Sequence, residues 1–293
     1  MTSILVDTGP TTLTKRWYVD GTQVDKGTVT IGIVDLDGTV IVAAGTATTR
    51  NGSGATTTYT FSLAVQADAN ELDVTWTRVS PVEAVVDRVH IIGGRLFTES
   101  ELRAHYNSDL GDDTVYTDAL LAEARDRITV EFEDICNVAF VPTYRRETIP
   151  GNGGRILELD RPFISQVLAA TIGTTSQTVA DITPDSTLAW VYHTTSFWND
   201  ATRSDPLNVT ISYVHGHPTV PPDIKRAAMV LARMQLLKDV TGQGVPEIAS
   251  SFTDPTGQYT SFGANDMTGR WYGIPVVDAT LRRKSMNLPL MSL

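Results

Sequence analysis

The chain has 293 residues, 34 acidic against 23 basic side chains, a formal net charge of −11 and a hydrophobic share of 41%. That length suits about two domains with real cores, and the acidic balance excludes a protein that grips nucleic acid by neutralising phosphates, though not a wall past which DNA slides. The single cysteine, Cys136, excludes an intramolecular disulfide and any cysteine-rich metal site.

The opening MTSILVDTGPTT has no basic segment followed by an apolar run, and no later run is long enough to cross a bilayer. The expectation is a soluble, unexported chain, in which the sequons at Asn51 and Asn208 carry no weight.

Residues 1–94 alternate with period two: Val29, Ile31 and Ile33; Tyr59, Phe61 and Leu63; Leu72, Val74 and Trp76. Asp37-Gly38 reads as a hairpin turn, and residues 50–55, RNGSGA, as a loop. About seven short, threonine-rich strands predict an antiparallel β-sandwich of immunoglobulin-like type. Its last strand, residues 85–92, ends at Gly93-Gly94, the domain boundary.

Residues 96–141 predict a short helix, an acidic loop and a long helix. Thr98 and Glu101 form a capping box, with Phe97 and Leu102 placed for a hydrophobic staple, so a helix over about 98–107 follows. The long helix, about 117–138, carries Leu121, Ala124, Ile128, Phe132 and Ile135 on one face. Glu123, Arg127 and Glu131 mark its solvated side, with Glu123 four residues ahead of Arg127. Cys136, near its end, reads as a small buried hydrophobe.

Pro142 stops the helix, and a β region over 143–215 follows, turning at the glycines of residues 151–154. Residues 188–192 and 207–214 supply strands, the second with Val209, Ile211 and Tyr213 on one face. Pro221 and Pro222 start a helix over 222–241, whose Ile224, Ala227, Ala228, Leu231, Met234 and Leu237 suit packing on the long helix. Met229, Val230 and Leu236 widen its apolar band, which implies contact on a further side. Residues 242–293 are rich in Gly, Ser, Thr and Pro up to residue 273, and the expectation is a tail that is disordered alone or docks on another chain.

The capped helix, the acidic loop DLGDD, the long helix, the exit into RRETIPGNGGRILELDRPFISQV, the strand NVTISYVHG, the helix VPPDIKRAAMVLARMQLL and the closing GIPVVDATLRR together resemble the head-to-tail connector (adaptor) proteins of long-tailed bacteriophages. The resemblance covers about residues 96–283, is carried by order and spacing, and extends to the N-terminal sandwich, which is similar to an extra domain of some actinobacteriophage adaptors. It implies an α+β chain: an immunoglobulin-like sandwich (1–94), an adaptor domain of three helices with inserted strands (95–270) and a C-terminal docking tail (271–293). It further implies a non-enzymatic structural protein of the virion neck, assembled in the host cytoplasm without cofactor or membrane. Copies would form a ring, implied to be a dodecamer, beneath the portal protein, extending the DNA channel and receiving the stopper or tail completion protein.

By that likeness Trp271, Ile274, Val276, Val277 and Leu281 reach the portal, and the alternation in residues 274–277 suits strand addition to a partner's sheet edge. A tail folded back on its own subunit is the alternative. Met229, Val230 and Leu236 are the surface for a ring neighbour, a heterologous contact that closes by rotation. Asp109, Asp112 and Asp113, together with residues 151–154, are the channel-facing candidates, since a neutral or acidic lining does not bind phosphates. A stopper or tail completion protein is the alternative within the same class, and a glycan-binding module, with Trp17, Trp198 or Trp271 stacking on sugars, the alternative from another.

Enzymatic constellations are weak. Asp7-Thr8-Gly9 with Ile91-Ile92-Gly93 resembles the paired signatures of retroviral-type aspartic proteases, but Asp7 lacks the preceding strands and Pro10 replaces the usual alanine. His215-Gly216-His217 lacks a nearby third ligand, and Asp35-Leu36-Asp37-Gly38 lacks the glycine and distal glutamate of a calcium loop. No phosphate-binding glycine loop and no nucleophile elbow occur.

Overall fold

The computed structural model describes residues 2–6, 10–80, 82–105, 110–195, 198, 209–241, 251–253, 259–261 and 271–285. The chain is mixed α+β, mostly strands in several sheets with few helices. It forms two compact units, one from residues 1–94 with 141–218 and the other from residues 95–140 with 219–293. The β region expected alongside the helices thus belongs to the unit of the N-terminal strands.

Ten strands occupy the N-terminal part of the first unit: β1 (Thr2–Leu5), β2 (Thr11–Lys15), β3 (Trp17–Val19), β4 (Thr22–Val24), β5 (Val29–Asp35), β6 (Val40–Ala47), β7 (Thr49–Asn51), β8 (Thr58–Leu63), β9 (Asn70–Arg78) and β10 (Glu83–Ile92). The excess over the seven expected comes partly from the β3–β4 hairpin. Asp20 and Gly21 turn it with φ of 48° and 77°, the left-handed pair that matches strand twist in a two-residue loop. The strands order as β1-β10-β9-β5-β6 in one sheet and β2-β8-β7 in another, with β1 parallel to β10. Alternation places Val29, Ile31, Ile33, Leu72, Val74 and Trp76 from the first sheet in one cluster with Leu13, Tyr59 and Leu63 from the second. Trp17 meets Tyr59 edge-on, ring centroids 5.5 Å apart.

Seven further strands complete the unit: β11 (Thr143–Ile149), β12 (Ile156–Glu158), β13 (Ile164–Ile172), β14 (Thr175–Ser176), β15 (Ile182–Pro184), β16 (Trp190–His193) and β17 (Val209–His215). They build the sheets β11-β17-β13-β14 and β12-β16-β15. Strand β17 is central and buried on both faces, so its sequence reads as almost continuously apolar. Leu157, Val191, Ile211, Tyr213 and Trp198 share the core of this region.

Where β10 ends, Gly93 N–H donates to the Pro142 carbonyl at 2.8 Å, and a Cβ at Gly93 would lie 2.6 Å from Pro142 Cβ. Only glycine fits there. Nearby, the β5–β6 turn is anchored to the β11–β17 pair: Asp37 accepts from the Ser212 hydroxyl at 2.7 Å and the Tyr144 hydroxyl at 3.3 Å, and Arg146 donates to the Leu36 carbonyl.

In the second unit, α1 (Glu99–Ala104) opens with the expected capping box, Thr98 and Glu101 each bonding the other's backbone. Phe97 and Leu102 are buried at 2% and 0% exposure. Helix α2 (Asp118–Cys136) is capped by the Thr117 hydroxyl and ends at Asn137, left-handed at φ 54°. Its Leu121, Ala124, Ile128, Phe132 and Cys136 are buried, as the three-and-four spacing requires; Ile135 is half-buried. Arg125, which the pattern did not mark, is buried too and bonds Glu99 at 2.5 Å and Asp126 at 2.9 Å, tying α1 to α2. Helix α3 (Pro222–Thr241) buries Ile224, Ala227, Ala228 and Leu231. The hairpin of β18 (Ser251–Thr253) and β19 (Tyr259–Ser261) precedes the last helix, α4 (Pro275–Lys284).

Candidate functional site

The C-terminal segment departs most from its expected form. Residues 274–277 do not extend as an edge strand; they enter α4, with Pro275 at the first helical position and Arg282, Arg283 and Lys284 in the last turn, where cations suit the helix dipole. Val277 and Leu281, one turn apart, are fully buried in their own unit. The reason the period-two reading fails is that four residues cannot distinguish alternation from the start of a helical stripe.

Polar contacts fix α4 as well. Asp278, 5% exposed, accepts the backbone N–H groups of Trp271 and Tyr272 at 3.3 and 3.0 Å, folding the preceding turn over the helix start. The Tyr272 hydroxyl donates to Glu131 of α2 at 2.6 Å, and Lys284 pairs with Asp223 of α3 at 3.6 Å. Burial pushes the Tyr272 hydroxyl above its ordinary range, and the Glu131 carboxylate adds to this. Cys136 lies against the Leu281 carbonyl, Sγ to O 3.7 Å, and burial raises its thiol to about 11, so it is the inert packing residue expected. Of the five portal candidates, Trp271 and Val276 are exposed, Ile274 is half-buried, and Val277 and Leu281 belong to the subunit's own core.

On α3, Met229 and Val230 are half-buried, while Leu236 is 4% exposed and packs within its own unit. Leu236, expected on the surface for a ring neighbour, therefore presents no such surface. In the acidic loop Asp109 lies outside the described residues, and Asp112 and Asp113 are exposed. Asp112 accepts from the Thr114 hydroxyl and N–H at 2.6 and 3.0 Å, bonds that hold its carboxyl below the ordinary range and make it a turn-former. Arg103, unmarked in sequence, holds the loop by donating to the carbonyls of Leu110 and Tyr116 and to Asp118. The glycine turn is closed by Asn152, which accepts from Gly154 N–H at 2.9 Å and donates to the Ile156 carbonyl at 2.7 Å.

Two polar clusters look chemical at first sight. On the β11–β17 pair, Glu147 accepts from the Tyr213 hydroxyl at 2.5 Å, Arg145 at 2.6 Å and the Asp160 N–H at 3.1 Å. Its carboxylate is fully engaged, so the cluster is a structural network. His215 beside it is 5% exposed, and burial followed by the charges of Arg161 and Arg145 lowers its pKa to about 3. His217 instead stacks on Phe163, centroids 4.4 Å apart, and no group of three metal-ligating side chains occurs among the described residues. In the N-terminal sheets a cleft of about 320 Å³ is lined by Gly27, Thr28, Val29, Ala47, Thr48, Arg50 and Tyr59. Arg50 and Tyr59 both bond Asp25, and the Arg50 hydrogen bond holds that carboxyl well below its usual range. The Thr48 hydroxyl in the same lining donates to the Val29 carbonyl at 2.6 Å.

Asp7 of the protease-like signature lies outside the described residues, and Ile91 and Ile92 end β10. Asp35 of the calcium-like sequence accepts the N–H groups of Asp37 and Thr39 at 3.0 and 2.7 Å, a hairpin turn. Trp17 and Trp198, two of the three stacking candidates, are buried at 4% and 0% exposure. Besides Tyr18 on β3, the exposed aromatics that the sequence pattern does not single out are Trp190 and Tyr192 on β16. They were legible only once the register of that four-residue strand was known.

No helix among the described residues is long and apolar enough to cross a membrane. No family model matches the chain, and no curated protein matches it.

Proposed function

We propose that this chain is the head-to-tail adaptor of a tailed bacteriophage, a structural subunit that forms a ring beneath the portal and continues the DNA channel toward the tail. The observation that carries the reading is the arrangement of the helical unit. Residues 95–140 and 219–293 build it, and residues 141–218, which carry β11–β17, are inserted between α2 and α3. That is the order the resemblance implies for an adaptor domain of helices with inserted β-strands. The N-terminal strands support an immunoglobulin-like sandwich: β10-β9-β5-β6 and β2-β8-β7 pair as the G-F-C-C′ and B-E-D strands of such a domain, over one shared core.

Within this reading portal docking falls to the exposed Trp271 and Val276 and to the following residues 286–293, MNLPLMSL, rather than to Val277 and Leu281. Asp112 and Asp113 remain the channel-facing candidates, exposed and acidic. The test is addition of purified chain to DNA-filled heads that lack it. The adaptor reading expects saturable binding at the portal vertex alone, in the same copy number as the portal subunits. Binding that requires a preformed collar beneath the portal would instead favour a stopper or tail completion role.

A further inference from the structure

Strand β16 turns Trp190 and Tyr192 outward at 41% and 40% exposure, while the alternate residues Val191 and His193 are buried. Across the sheet, Ile156 pairs with Tyr192 and Glu158 with Trp190 on β12, and Thr183 pairs with Tyr192 on β15. Ile156 is 48% exposed, and Leu188 near the end of the β15–β16 hairpin 43%. Tryptophan and tyrosine gathered with aliphatic side chains make a patch of the composition that dominates binding energy at protein interfaces. Its rim is acidic at the Trp190 end, with Glu158 exposed and Asp185 at the hairpin turn. The nearby cation, Arg155, is bonded to the Tyr192 hydroxyl and the Thr194 carbonyl.

A complementary surface lies on α3. Arg226, Met229, Val230 and Arg233 fall at positions i, i+3, i+4 and i+7 and so form one stripe, Arg226 exposed and the other three half-buried. Its centre is apolar and adaptable and its two ends are guanidiniums, which pair with carboxylates and lie well over aromatic rings.

We propose that these surfaces meet between copies: the α3 stripe of one subunit seats on the β12–β16–β15 face of the next, with Met229 and Val230 over Ile156, Trp190 and Tyr192 and the arginines toward Glu158 and Asp185. The inference rests on the ring reading above and specifies its subunit joint. Because the two patches differ, the contact is heterologous and repeats from copy to copy, as a ring requires. Charge matching matters here, since copies carrying −11 each repel elsewhere.

The test uses the full chain with Trp190→Ser, Arg226→Glu, Glu158→Lys and the Arg226→Glu/Glu158→Lys pair, each checked for native folding by near-ultraviolet circular dichroism. Association is read by sedimentation velocity and native mass measurement, on purified chain and on chain bound to DNA-filled heads. Trp190→Ser and Arg226→Glu are expected to weaken copy-to-copy association by about thirtyfold or more. An equimolar mixture of these two variants is expected to stop at heterodimers, because each pair retains one intact joint, and the double charge swap is expected to restore assembly. Variants that assemble like the unaltered chain, a self-pairing aromatic face indifferent to Arg226→Glu, or an unaltered chain that never oligomerises alone or on heads would each overturn the joint. Heads that bind unaltered chain and every variant alike overturn the joint and leave the adaptor reading standing. Association through these residues with no binding to heads does the reverse.

Discussion

Asp37 shows how much one side chain can decide. Its carboxylate accepts from the Ser212 hydroxyl, 1% exposed, and lies 3.3 Å from the Tyr144 hydroxyl, 5% exposed, which also donates to Ser212 at 3.1 Å, so truncation leaves this buried pair one acceptor short. Asp37→Ala is expected to lower unfolding stability by about 1–3 kcal/mol in chemical denaturation, whereas Asp113→Ala, exposed and outside such a network, is expected to change it by less than about 0.5 kcal/mol. His215 gives a pH signature. Its folded pKa is depressed to about 3, below the unfolded value near 6.5, so its neutral form is favoured by folding at neutral pH and that contribution is lost as pH falls from about 6.5 toward 3. His215→Gln is expected to flatten the stability curve between about pH 6.5 and 5, by up to about 1.4 kcal/mol per pH unit relative to the unaltered chain. An unchanged slope in that window would show that His215 charges freely in the folded state. None of these partners was legible in sequence, because Asp37 and Ser212 are 175 residues apart and only the fold joins them.

Helices were more legible than strands, and for a physical reason. Capping chemistry and the three-and-four apolar spacing are local, so α1, α2 and α3 begin within a residue or two of where Thr98, Thr117 and the Pro221-Pro222 pair place them. Strand count and register depend on partners elsewhere in the chain, which is why the β3–β4 hairpin and the outward face of β16 are not legible in sequence. Helix α4 is not legible in sequence because its apolar pair is short and its packing partners, α2 and α3, are distant along the chain. Its contribution is testable at that scale. Leu281→Ala, removing a fully buried side chain, is expected to cost about 2–5 kcal/mol in denaturant unfolding, and Val276→Ser on the exposed side less than about 0.5 kcal/mol. Equal effects would mean that α4 is not packed as described. Deleting residues 271–293 removes structure as well as any docking surface, so point changes at Trp271 and Val276 and removal of residues 286–293 are the informative probes of portal attachment.

Across the whole molecule, the proposed role as a repeating part of a channel draws together the acidic charge, the inserted β region and the two unlike surface patches. An acidic or neutral lining lets DNA pass without sticking, and a heterologous joint lets identical copies close on themselves. The measurement that tests this most directly is imaging of DNA-filled heads, lacking this protein, before and after addition of the purified chain. The account predicts a closed ring appearing beneath the portal, with one copy for each portal subunit and an open central channel. Heads that remain bare at that vertex, or copies bound singly elsewhere on the shell, would contradict it.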